Sequence, residues 1–305
     1  MAILVFGSLN MDLVVQAPRL PIPGETLLGD HFNTIPGGKG ANQAVAAARQ
    51  HIHTLMVGRV GADSFGHELR HQLATDRVDI DGVQVDPEAH TGVAAIAVSS
   101  QGENNIVVVP GANGRVDGSD LERLQGLLPQ AKLLLMQFEI PLPIVTAAAK
   151  MAHAAGVTVI LDPAPAQAID ADTGYRHIHI LTPNQVEAAQ LVGFPVNTVE
   201  TALAAASVLR QRGVETALIK LGSQGVIGAT ADGTFHVPAF PVTVVDTVAA
   251  GDAFNGGLAV ALHDGKALKE AVIWASATAA LSVTQAGAQP SLPQRSQVEA
   301  FLTST

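Results

Sequence analysis

Six short runs of consecutive apolar residues recur along this chain, and most lead into a stretch with helical periodicity. The runs are Ala2–Phe6, Thr54–Val57, Lys132–Gln137, Val157–Leu161, Ile178–Leu181 and Thr216–Lys220. A strand wetted on one face alternates apolar and polar residues, whereas a strand covered on both faces stays apolar throughout. The runs therefore predict buried, mostly parallel strands. Helical patterns over Ala41–Arg49, Ser64–Ala74, Leu142–Ala155, Thr198–Arg212, Gly251–Leu262 and Leu268–Ser282 are interspersed with them. Such alternation folds as a doubly wound α/β domain, a mostly parallel central sheet flanked by helices. With 48% hydrophobic residues, the 305-residue chain is expected to be a single domain with one large core.

Two stretches break the rhythm. Leu13–Thr34 and Thr91–Val109 hold strand-like pieces and turn residues with no helix between them. They predict a small β-sheet inserted off the main domain, placed to act as a lid.

Charge and composition narrow the partners. The formal net charge is −10 and there is no Lys/Arg run, so nucleic acid is not an expected partner. There is no cysteine, which excludes disulfides, zinc–thiolate sites and cysteine nucleophiles. The start, Met1-Ala2-Ile3-Leu4-Val5-Phe6, carries no basic segment or cleavage site. No apolar run reaches the roughly 18 residues of a membrane helix. A cytoplasmic protein acting on a small molecule, with no membrane partner, is expected.

In open α/β sheets ligands bind at the carboxyl ends of the strands. The residues after these runs are polar: Asn10 and Asp12, Glu139, Asp162, Asn184 and Glu187, then Gly222-Ser223-Gln224-Gly225. Polar exits in series predict one polar cleft.

The segment Asp246-Thr247-Val248-Ala249-Ala250-Gly251-Asp252-Ala253-Phe254 places small residues before a helix and an acid in its first turn. Free N–H groups and the positive end of the helix dipole make an anion site there. Phosphoryl transfer needs donors for the moving group and a base for the attacking hydroxyl. Ala250, Gly251 and Asp252 offer the donors, and the Asp252 carboxylate the base. An ordinary acidic first turn gives the same pattern.

Pro36-Gly37-Gly38-Lys39-Gly40-Ala41-Asn42-Gln43-Ala44 is a glycine turn opening an alanine-rich helix. Glycine lets backbone approach a ligand, and Asn42 can both donate to and accept from a sugar hydroxyl. It is not a Walker A loop, since Gly40 stands where Ser or Thr is needed and Asn33 where Gly is. Asp12 can accept from two vicinal hydroxyls or serve as a turn acid. Asn184 and Glu187 share a helix face, suited to a helix start or to the water shell of Mg²⁺. Lys220 to Val226 reads as strand, glycine turn and strand, either lining a nucleotide or forming a plain β-turn. The eleven histidines show no metal-ligand spacing, and His51/His53 and His177/His179 are expected in turns or facing solvent. A dehydrogenase would need Gly-x-Gly-x-x-Gly after the first strand, which is absent. A non-catalytic sugar sensor would have no use for Asp252.

Gly37-Gly38-Lys39-Gly40-Ala41-Asn42-Gln43-Ala44 and Asp246 to Phe254, in this order and separation, resemble the ribokinase-like carbohydrate kinase family. The likeness runs through nearly the whole chain. It implies ATP-dependent phosphorylation of a sugar, D-ribose at its 5-hydroxyl, with deoxyribose, fructose or a nucleoside as the substrates of sister kinases. It implies that Asn10, Met11, Asp12, Gly38, Lys39, Gly40, Ala41, Asn42 and Glu139 surround the sugar, with Asp252 as base. Ala249, where many members carry Gly, would begin the anion hole completed by Ala250, Gly251 and Asp252. Asn184 and the stretch Lys220, Leu221, Gly222, Ser223, Gln224 and Gly225 would line the nucleotide, as would Gly251 and Asp252. Lys220 stands where many relatives have Thr, and Ser276 where they often have Asn or His beside the adenine. Glu187 would stand behind the Mg²⁺ waters. Potassium would lie against Asp246, Val248, Ser282, Gln285, Gly287 and Ser291, several through backbone carbonyls. The resemblance also implies a homodimer paired through the lid.

Overall fold

The first strand, β1 (Ala2–Phe6), shows why its run is apolar throughout. Ala2, Leu4 and Phe6 enter one core while Ile3 and Val5 enter a second on the opposite face. The computed structural model describes residues 1–167 and 174–304. The chain continues through β2 (Asn10–Ala17), β3 (His31–Gly37), α1 (Lys39–Ala48), β4 (Thr54–Gly61), α2 (Ser64–Thr75), β5 (Val78–Asp86), β6 (Gly92–Ser99) and β7 (Asn104–Val109). Next come α3 (Gly118–Leu127), β8 (Ala131–Gln137), α4 (Leu142–Ala154), β9 (Thr158–Asp162), β10 (Ile180–Leu181), α5 (Gln185–Val192) and α6 (Val199–Gln211). The last third holds β11 (Thr216–Lys220), β12 (Val226–Thr230), β13 (Gly233–Val237), α7 (Ala250–His263), α8 (Leu268–Ser282) and α9 (Arg295–Ser304).

The large sheet has the order β13-β12-β11-β10-β9-β8-β1-β4-β5. It is parallel from β11 to β5, and the β12–β13 hairpin closes one edge antiparallel. One core packs α3 to α6 on one face through Leu124, Val145, Ala188 and Ala205. The other packs α1, α2, α7, α8 and α9 through Val45, Leu69, Leu258, Val272 and Val298. The chain leaves β1 for β4 on one side and later returns to β8 on the other, so the sheet reverses its winding beside β1. Crevices for ligands open at such a point, at the carboxyl ends of the strands. The run Ile178–Leu181 yields only a two-residue strand, because the Ile178 N–H closes the preceding turn onto the Tyr175 carbonyl at 3.0 Å.

A separate four-stranded sheet has the order β3-β2-β6-β7. It is mixed: β2 pairs β6 in parallel and the outer pairs are antiparallel. Its strand β2 starts at Asn10, with three residues between it and the end of β1.

Helix α7 lies close against its neighbours because glycines remove the side chains at the crossings. A Cβ at Gly256 would fall 2.4 Å from Ala46 Cβ of α1, and one at Gly257 would fall 2.6 Å from Thr278 Oγ1 of α8. This proximity sets the first turn of α7 against the buried face of α1.

Three histidines from separate elements meet away from the cleft. The His153 ring stacks on His179 at 5.0 Å between centroids and meets His177 edge-on at 5.3 Å. His177 and His179 lie in the turn segment before β10, one of the two settings that the sequence suggests, and they are half-buried there because α4 packs against that turn. With Glu215, His153 and His179 bring ligand-capable atoms within 4.8 Å of one another, a grouping that sequence spacing cannot show. His179 Nδ1 accepts the Val159 N–H at 2.9 Å, which requires that nitrogen unprotonated. Burial holds His177 and His179 below the usual histidine pKa, aided by His153 on both and by Lys150 and Arg176 on His177, with Glu215 opposing at His179. In the unfolded chain they protonate first, at about pH 6.5. Their contribution to stability is therefore complete above that pH and is lost as pH falls through the lower folded-state values. Thermal unfolding between pH 8 and pH 5 should show this loss, and His179→Gln should flatten it.

Candidate active site

Asp252 is buried in the first turn of α7 and its two oxygens are held by α1. Asn42 Nδ2 donates to Oδ2 at 2.9 Å, and Gln43 Nε2 donates to Oδ1 at 3.0 Å. The same Gln43 nitrogen lies 3.2 Å from Asp162 Oδ2 at the end of β9, and Gln43 Oε1 accepts from Gln137 Nε2 at 2.7 Å. Burial raises the Asp252 pKa, with Lys39 opposing and Asp162 reinforcing it, while Asn42 and Gln43 pull it down. A carboxylate destabilised by burial is a stronger base than one in water.

The backbone at the start of α7 is open, because its N-cap residue Ala249 supplies no side-chain cap. At α1, by contrast, the N–H groups of Lys39, Gly40 and Ala41 are taken by Glu139 Oε2, Ser8 Oγ and the Ser8 carbonyl. The first-turn N–H groups of Gly251 and Asp252 have no intrahelical acceptor, while the Ala250 N–H reaches the Thr247 carbonyl at 3.3 Å. Ala249 adopts φ 59°, a left-handed conformation that costs a non-glycine residue about 1–2 kcal/mol. Glycine meets that conformation without strain.

On one side of Asp252 lie the residues expected around a sugar. Asn10 Oδ1 accepts from Asn113 Nδ2 at 2.8 Å, and Asn113 also bonds both backbone groups of Leu9, fixing the β1–β2 link. The Asp12 carboxylate lies against Gly37, where a Cβ would fall 2.5 Å from Oδ2. Burial, then Glu139 and Asp252, push its pKa up to about 7 against the pull of Lys39. Glu139 Oε2 accepts from Ser8 Oγ and from the Lys39 N–H at 3.2 Å, bridging the ends of β1 and β8 to the start of α1. Burial opposes the charge on Lys39, yet Asp252, Asp162, Glu139 and Glu187 outweigh it and raise its pKa above the usual lysine value. Gly40 and Ala41 are buried beneath these groups, with the Ala41 N–H on the Ser8 carbonyl at 2.9 Å; Met11 is fully buried.

On the other side opens a cleft of about 820 Å³. Lys39, Asn184, Glu187, Lys220, Gly222, Ser223, Gly225, Ala249 to Asp252 and Ser276 line it, with Phe240, Val242 and Val244 giving an apolar wall. Asn184 caps α5: its Oδ1 accepts the Glu187 N–H at 2.9 Å, and Glu187 Oε2 accepts the Asn184 N–H at 2.7 Å. Burial and Asp162 raise the Glu187 pKa, with Lys220 and Lys39 opposing. Ser276 Oγ is buried without a hydrogen-bond partner among the described residues. Leu221 and Gln224, read with their neighbours as lining the nucleotide, are not among the lining residues. Leu221 turns into the core, and Gln224 turns outward, where its Nε2 donates to the Asn197 carbonyl at 3.2 Å.

Beside the cleft, Asp246 joins two loops. Its Oδ1 accepts the Val248 N–H at 3.0 Å and its Oδ2 the Gly287 N–H at 2.9 Å, tying the segment before α7 to the one after α8. Ser282 Oγ and Ser291 Oγ donate to the Ala279 and Ala288 carbonyls at 3.0 and 2.8 Å. The Gln285 N–H reaches the Ser282 carbonyl at 3.1 Å. The set offers a carboxylate, hydroxyls and loop carbonyls, hard oxygen donors that fit an alkali cation.

Sequence reading gives no role to Gln43, Gln137, Ser8 or Asn113, and notes Asp162 only as a polar strand exit. Gln137 and Asp162 end β8 and β9 and Ser8 follows β1, so position relative to the strands is the signal that finds them.

A model of the pfkB family carbohydrate kinases matches residues 2–295. The chain is 40% identical to the ribokinase of Haemophilus influenzae over 298 residues, 98% of this chain and 97% of that protein. It is 36% identical to the deoxyribokinase of Salmonella typhi over 307 residues, 99% of each. The structure of Arabidopsis thaliana ribokinase complexed with ribose and ATP matches at a TM-score of 0.91 and 36% identity, covering 99% of both chains. With its fold, its cleft and its full-length likeness in agreement, the chain belongs to the pfkB family of carbohydrate kinases.

Proposed function

We propose that this chain transfers the γ-phosphoryl group of ATP to the 5-hydroxyl of D-ribose, giving ribose 5-phosphate and ADP. One observation carries the reading: a buried carboxylate, Asp252, is fixed at the start of α7 by Asn42 and Gln43 and lines a cleft of about 820 Å³. Asp252 takes the proton from the 5-hydroxyl as the oxygen attacks phosphorus. The N–H groups of Gly251 and Asp252, with Ala250 beside them, receive the phosphoryl oxygens. Asn10, Asp12, Gly38, Lys39, Asn42 and Glu139 hold the sugar. Asn184 and the Lys220–Gly225 turn border the nucleotide, with Ser276 toward its base. Closure of the small sheet excludes water that would otherwise take the phosphoryl group.

Glu187 would hold the water shell of Mg²⁺, which neutralises phosphate charge when bound. Asp246, Val248, Ser282, Gln285, Gly287 and Ser291 would hold potassium, which adds positive charge beside the start of α7. A homodimer is proposed through the small sheet, whose edge strand β7 exposes Ile106, Val107, Val108 and Val109 in a row, with Phe32 exposed on the opposite edge. The reaction is placed in the cytoplasm, where ATP is supplied.

Likeness to a deoxyribokinase raises deoxyribose as a second acceptor. Asp12 favours ribose, because a carboxylate accepts well from two adjacent hydroxyls and deoxyribose lacks the one at C2. ADP release measured over ribose, deoxyribose, fructose and nucleosides should give ribose the highest kcat/KM, falling when K⁺ is withdrawn. No ADP release with any of them in Mg²⁺ and K⁺ would refute the reading.

A further inference from the structure

Lys220 ends β11 with its ammonium 3.0 Å from Asp162 Oδ1. The pair is largely enclosed, the side chains 13% and 3% exposed, but it is not sealed in the core, since both residues line the cleft. A Cβ at position 251 would lie 3.4 Å from Lys220 Nζ, so the ammonium lies close to the bare backbone of Gly251 in the first turn of α7. The Phe254 ring lies 6.0 Å from the same nitrogen and helps to place it. Asp162 continues through Gln43 to Asp252. One hydrogen-bonded chain, Lys220–Asp162–Gln43–Asp252, therefore has an ammonium at one end and the base at the other.

We infer that Lys220 is a catalytic residue: its ammonium leaves Asp162 for the oxygens of the transferring phosphoryl group and stabilises their charge in flight. This rests on the reading of the cleft as the ATP and sugar site. The bond from phosphorus to the ADP oxygen breaks, the bond to the sugar oxygen forms, and the hydroxyl proton goes to Asp252. Lys220 keeps its protons throughout and supplies charge alone. Asp162 is its counter-ion while no phosphate is present. A cation aimed at charge that develops in the transition state acts on kcat more than on binding.

Steady-state kinetics with ribose, ATP, Mg²⁺ and K⁺ on wild type, Lys220→Met and Lys220→Ala tests this. Lys220→Met is expected to lose about 10²–10³-fold in kcat, with ribose affinity by calorimetry within about threefold of wild type. Ethylammonium added to Lys220→Ala should restore part of the rate, which a packing role would not allow. Turnover in folded Lys220→Met within about threefold of an active wild type overturns the assignment and leaves the kinase reading standing. A wild type without kinase activity on any sugar brings down both. Should the variants fail to fold, residue-resolved lysine amidination of the wild type decides. Protection of Lys220 by a non-hydrolysable ATP analogue but not by AMP supports the role, and equal reactivity with and without the analogue overturns it.

Discussion

Asp252→Asn is expected to lose turnover by about 10²–10⁴-fold, the usual contribution of a general base, while still binding ribose. The fold should survive because two effects oppose each other. The amide turns one N–H toward a donor from Asn42 or Gln43, and an unmade buried hydrogen bond costs about 1–3 kcal/mol. Against this, the exchange removes a buried negative charge that the neighbouring Asp162 disfavours. Calorimetry with ribose and a coupled ADP assay separate the two readouts. Near-normal kcat would eliminate Asp252 as the base.

Gly38→Ala is expected to weaken sugar binding and to lower thermal stability together. Gly38 has φ 88°, ψ 130° at the start of α1, a region that strains any other residue by about 1–3 kcal/mol. Its added Cβ would also meet Asn10 N at 2.6 Å and Leu9 Cα at 2.9 Å, both backbone atoms with no rotamer to yield. Overpacking of this kind adds a further ~1–3 kcal/mol. The strain falls on the segment carrying Asn10 and Asp12, so ribose affinity should drop at least about tenfold, the equivalent of 1.4 kcal/mol. An alanine variant with wild-type affinity and melting temperature would show that this turn does not shape the sugar recess.

The central strands are legible in the sequence because both of their faces are covered. Ala2–Phe6 and Thr216–Lys220 coincide with β1 and β11, and Leu268–Ser282 coincides with α8. The edge strand β5 is not legible, since Asp79, Asp81 and Gln84 face solvent or loops and interrupt any apolar run. Asp252 and Asn42 stand out because each follows a turn of small residues into a helix. Gln43 does not, for an amide within an alanine-rich helix reads as surface until the glycines of α7 bring that helix down on top of it. Leu221 and Gln224 show how side chains of one contiguous turn part company, the first entering the core and the second reaching the Asn197 carbonyl, which the letters do not reveal. The left-handed backbone at Ala249 is likewise invisible in the letters, which show only an alanine among alanines.

The rung joining Asp12 to Ile35, and the neighbouring one joining Asn10 to Gly37 and Gly92, belong to the small sheet's own ladder. For a sugar gripped at Asp12, the cover and the hand that holds the cargo are then one piece. Lifting the cover pulls the grip away, so departure of the product needs no second latch.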